Sequence, residues 1–75
     1  SKVMIAHEGQ GRLEYGFDTF LFDEDFAKAY HTTMGHYARL DNGSGEHIGP
    51  MRNPGETSKI EAIHSGKKVK YYFNY

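Results

Sequence analysis

The sequence predicts an α+β domain: a small antiparallel sheet of three hairpins, in the order β-β-α-β-β-β-β, with one helix at about 23–34 packed on one face. Three observations predict it. The last seventeen residues, Lys59 to Tyr75, form two runs rich in Ile, Val, Tyr and Phe around Gly66-Lys67, which is a hairpin signal. The N-terminal stretch repeats that pattern around Gly9-Gln10-Gly11. Between them, Phe26, Tyr30, Thr33 and Met34 recur at helical spacing behind an acidic start.

The first hairpin joins Val3 to His7 with Arg12 to Phe17. A three-residue loop with Gly11 in the left-handed region opposes Glu8 to Arg12, His7 to Leu13, Ile5 to Tyr15 and Val3 to Phe17. The segment Asp18 to Phe22 either extends the second strand or turns into the helix. Asp23 is placed as an N-cap, with Glu24 and Asp25 in the first turn where carboxylates suit the helix dipole. Ala27 and Ala29 favour helix, and Gly35 stops it.

His36 to Leu40 is assigned to a strand in preference to a helix continued past Gly35. The turn residues Asp41 to Gly45 return it through Glu46-His47-Ile48. Residues 49–57 form a loop bracketed by Pro50 and Pro54, which lack the donor a central strand needs. In the terminal hairpin a type II′ turn pairs Ser65 with Lys68 and places Ile60, Ala62, His64, Val69, Tyr71 and Phe73 on the core face. Lys59, Glu61, Ile63, Lys70, Tyr72 and Asn74 face outward.

With 75 residues the chain is expected to be one domain, 1–75. A core this small is marginal, and without cysteine neither a disulfide nor a cysteine–zinc site can support it. Six Tyr and five Phe supply aromatic packing instead. The net charge of −1 argues against broad binding to nucleic acid or anionic membrane. No apolar run approaches the ~20 residues of a membrane span. The expected location is the cytoplasm.

Histidine is the compositional oddity: His7, His31, His36, His47 and His64. His31 and His36 are five apart, off the helical metal-pair spacing, and HExxH is absent. Half-buried rim histidines are the plainer reading of His7 and His64. Ser44, Ser58 and Ser65 lie in or beside turns, outside any GxSxG context. The Asp23-Glu24-Asp25 run is better explained as a cap than as a hydrolase pair. No catalytic residue, metal ligand or cofactor is therefore assigned, and the chain is not expected to be an enzyme.

The stretch Lys67 to Tyr72 interleaves basic and aromatic residues as single-strand binders do. An edge strand guarded by lysine explains it more simply. Binding to another protein remains. Ile63, Lys70 and Tyr72 on the outer hairpin face, with Met51 and Arg52 in the Pro-bracketed loop, are the candidate contact residues, since Tyr, Met and Arg are enriched at interfaces. The expected function is a non-catalytic module that occludes a surface of a larger protein, as an inhibitor or accessory factor. A phage-encoded inhibitor of a host defence enzyme is one concrete form. The alternatives are a single-stranded nucleic-acid binder and a histidine metal site, and a homodimer through a sheet edge also fits the small core.

Overall fold

A computed structural model of the protein describes residues 1–19 and 23–75. Among the described residues there are seven strands: β1 (Lys2–Ala6), β2 (Gly11–Asp18), β3 (Glu24–His31), β4 (Tyr37–Asn42), β5 (Gly45–Ile48), β6 (Thr57–Ile63) and β7 (Lys70–Asn74). They form two antiparallel sheets, β1-β2-β3-β6 and β5-β4-β7. The buried residues of both meet in one core, which makes the fold a small β-sandwich.

The predicted helix is therefore corrected. Residues 24–31 are the strand β3, paired along its length with β2 on one side and β6 on the other. The same sequence carries both periods. At period two, Asp25, Ala27, Ala29 and His31 point inward and are buried, while Phe26, Lys28 and Tyr30 point outward. A lone helix of about twelve residues is marginal in water, whereas two ladders satisfy nearly every backbone group of the strand. Asp23 is not an N-cap; its carbonyl accepts a hydrogen bond from the His64 N–H at 2.8 Å. The expectation for Phe20 to Phe22 lies outside the described residues.

The arrangement of three hairpins is corrected as well. β6 and β7 do not pair with each other: β6 joins β3 in one sheet and β7 joins β4 in the other. Residues 64–69 cross between the sheets instead of reversing the chain within one. The crossing is seated on the β4–β5 turn, where the Gly43 N–H donates to the Ser65 carbonyl at 2.8 Å. A Cβ on Gly43 would lie 2.8 Å from the Ser65 carbonyl carbon, so only glycine fits. The side-chain alternation survives: Ala62 is buried, while Ile60, Tyr71 and Phe73 pack against the core.

The first hairpin exists, but three residues out of the expected register: Met4 opposes Leu13, Ile5 opposes Arg12 and Ala6 opposes Gly11. His7 to Gln10 make the turn, with His7, Glu8 and Gly9 at positive φ. Gly11 lies within β2 because the Phe73 ring packs where its Cβ would be, 2.6 Å away. The odd shift turns Val3 and Ile5 to the outer face. The β4–β5 hairpin forms around Gly43-Ser44.

The buried apolar residues are Leu13, Ala27, Ala29, Ala38, Leu40 and Ala62. Four of the six are alanines, small enough to let the sheets approach, with the larger Tyr15, Ile60, Tyr71 and Phe73 closing the sides. Buried Ser58 ties the layers, accepting from the Ala38 N–H at 3.1 Å and donating to the Pro50 carbonyl at 2.6 Å. Among the described residues no helix is long and apolar enough to cross a membrane.

Candidate functional site

The outer face of the second sheet is built from the strand alternation. Ala38 and Leu40 are buried, so Tyr37, Arg39 and Asp41 of β4 face outward. The register sets Arg39 between Ile48 of β5 and Tyr72 of β7, and Asp41 between Glu46 and Lys70. Arg39 makes a fork with Asp41, Nε to Oδ1 at 2.9 Å and Nη2 to Oδ2 at 2.8 Å, and a further bond to Glu46 at 3.1 Å. The guanidinium carbon stands 4.6 Å from the centre of the Tyr72 ring. The hydrogen bonds from Arg39 hold the Asp41 carboxyl below the usual carboxylate range, and Asp41 in turn raises Arg39.

One row further along the same face, Tyr37 opposes Asn74. Here a cleft of about 460 Å³ is lined by Gly35, Tyr37, Met51, Phe73, Asn74 and Tyr75. Met51 is 67% exposed at its lip. The aromatic side of the cleft is fixed from behind by histidines. Tyr75 stacks on His7 with ring centres 5.4 Å apart, and lies 5.0 Å from His31 and 4.9 Å from Phe73.

His31 is fully buried, and its Nδ1 accepts from the N–H groups of Thr33 and Met34 at 3.1 and 3.0 Å. Those two donors assign the remaining proton to Nε2, which donates to His7 Nδ1 at 2.9 Å. Burial lowers the affinity of His31 for a second proton, and His7 and His36 lower it further. The buried His36 ring nitrogens lie 2.9 Å from the Met34 carbonyl oxygen and 2.5 Å from that of Glu56. Among the described residues no group of three or more His, Cys, Asp or Glu is placed to hold a metal ion.

Of the residues singled out from the sequence, Lys70 and Tyr72 lie on this face and Met51 lines the adjoining cleft. Arg52 follows Met51 and is tied by its backbone to His36, at 2.8 and 3.0 Å. Ile63 is elsewhere: it is 61% exposed on the outer face of β6, in the other sheet. The diagonal neighbourhood expected between Ile63 and Tyr72 is lost with the hairpin that would have created it. Arg39, Asp41, Ile48 and Tyr37 were not expected to take part. The β4–β5 turn was legible and could have opposed Arg39 to Ile48; the pairing of β4 with β7, about thirty residues on, left no local signal.

A second polar cluster sits at the other end of the sandwich. Asp25, 1% exposed, accepts from His64 Nδ1 at 3.0 Å on both carboxylate oxygens, and from Asn42 Nδ2 at 3.1 Å. The expected helix puts Asp25 in its first turn, exposed beside the Asp23 cap; the period-two set Asp25, Ala27, Ala29 aims it inward instead. Among the described residues no hydroxyl hydrogen-bonds His64, so the pair lacks the nucleophile of a catalytic triad. It clamps β3 to the β6–β7 crossing. Ser44 Oγ donates to Asn42 Oδ1 at 2.7 Å and accepts from His47 Nε2 at 2.8 Å, which fixes the β4–β5 turn.

No family model matches the chain, and no curated protein or solved structure resembles it closely enough to assign it to a family.

Proposed function

We propose that the protein is a small non-catalytic binding module that attaches to a larger protein through the outer face of the β5-β4-β7 sheet. The observation that carries this reading is the Arg39–Tyr72 pair, held by Asp41 and bordered by Ile48 and the Met51–Tyr75 cleft. Tyr and Arg dominate binding hot spots. An arginine already ordered by a carboxylate fork loses less freedom on association than a free one. A rigid sheet face of this kind acts by occlusion, covering a partner's active or ligand-binding surface. Inhibitor and accessory factor are the two roles that follow, the inhibitor of a host defence enzyme being one form of the first.

The carboxylates of Asp41 and Glu46 share this face with Lys70, which weighs against a nucleic-acid backbone as the ligand. The test is affinity capture on the immobilised protein, with the captured partner then titrated against wild type, Arg39→Ala and Tyr72→Ala. Each variant is expected to bind about tenfold or more weakly, as a hot-spot residue does. Capture unchanged by both variants would make the cluster a purely structural cross-strand contact.

A further inference from the structure

The two sheets have four edges, and each includes at least one charged residue. β6 has Lys59 and Glu61, β5 has Glu46, and β7 has Lys70. Such charges protect an edge against further strand addition. β1 has Lys2 alone, at its first residue, and is then set apart by an apolar run, Val3-Met4-Ile5-Ala6, with no further charge, no proline and no break in register. Val3 is 49% exposed, Met4 41% and Ile5 60%. Among the described residues, β2 is the sole strand paired with β1, so the other edge offers a free row of backbone donors and acceptors.

This edge is complementary to itself. Antiparallel pairing of two copies about Met4 sets Val3 against the second copy's Ile5, and Lys2 against the second copy's Ala6. Within one chain Ile5 opposes Arg12 and Val3 opposes Glu14. Each outer row across the junction therefore runs Arg12, Ile5, then the second copy's Val3 and Glu14. The charges flanking the apolar pair are opposite in sign on both rows. On the inner face Met4 opposes Leu13, so the row runs Leu13, Met4, then the second copy's Met4 and Leu13, and apolar surface continues from one core toward the other. A two-fold axis makes every such contact twice.

We propose that β1 is a dimerisation edge, where a second copy of the chain pairs antiparallel and joins the two four-stranded sheets into one. The contact uses none of the residues of the Arg39–Tyr72 face, so it is independent of the partner-binding reading. Sedimentation equilibrium over about 1–500 µM tests it, because association follows mass action. Wild type is expected to reach twice the 8.6 kDa monomer mass. Met4→Lys sets two ammonium groups against each other at the axis, and Ile5→Lys introduces a charge at an exposed position beside Arg12. Both are expected to stay monomeric, while Ile63→Lys, at a similarly exposed site on β6, still dimerises. A monomer mass for wild type at every concentration overturns the proposal, as does a dimer that survives both β1 variants.

Discussion

Replacing Ala29 with leucine separates the strand assignment of β3 from the helix that its sequence also encodes. Ala29 is fully buried, opposite Leu13 on one side and Ser58 on the other. Three carbons added at a fully buried position crowd the neighbours that enclose it, and overpacking of this kind costs roughly 1–3 kcal/mol. A 75-residue domain at ~0.05–0.15 kcal/mol per residue holds about 4–11 kcal/mol in total. At ~4–8 °C per kcal/mol, the substitution should lower Tm by about 4–24 °C. Tyr30→Ala is the companion. On the helical face Tyr30 would be core; on β3 it points outward and is partly exposed, so its loss should cost no more than ~1 kcal/mol, the scale of a cross-strand pair. Urea unfolding followed by far-UV circular dichroism measures both. The strand reasoning is refuted if Tyr30→Ala proves the more damaging change, or if Ala29→Leu leaves the midpoint where it was.

Two further outcomes follow from the polar clusters. Asp25→Ala removes the acceptor shared by His64 and Asn42, and should destabilise by about 1.5–3 kcal/mol, the scale of hydrogen bonds to a charged group; a urea midpoint within error of wild type would show that the clamp contributes nothing. His31, facing His7, His36, Phe73 and Tyr75 and accepting two backbone N–H bonds, takes a second proton less readily folded than unfolded. The unfolded chain therefore binds that proton first. Its contribution is whole above the ordinary histidine value of 6.5 and is lost as pH falls below that value toward the lowered one in the fold. Urea midpoints measured from pH 8 to 5 should decline below about 6.5 in wild type and decline less in His31→Gln; equal slopes would contradict the assignment.

Strand-forming segments were legible where alternation was reinforced by turn chemistry. The runs at Val3, Arg12, His36, Glu46, Lys59 and Lys70 all contain strands, and the inward sets of β6 and β7 were correct. What failed was partnership. Gly66 carries the same positive φ in a crossing as it would in a hairpin, so a turn residue cannot report which strand the chain meets next. The alanines of β3 misled for a related reason: Ala27 and Ala29 favour helix as isolated residues, but here they let two sheets approach, a demand that exists only once the second sheet is in place. The candidate face inherits that limit. Tyr72 and Lys70 were found by their outward phase, whereas Arg39 joins them through a β4–β7 ladder that links distant parts of the chain.

The most direct test of the binding reading is the affinity of the captured partner for Tyr72→Ala, measured by isothermal titration beside wild type. Removing the ring that Arg39 covers should weaken binding by about tenfold or more while the unfolding free energy from urea melts changes by no more than ~1 kcal/mol, the scale of a cross-strand contact. Equal affinities at equal stability would contradict the account and move the interface away from the β5-β4-β7 sheet.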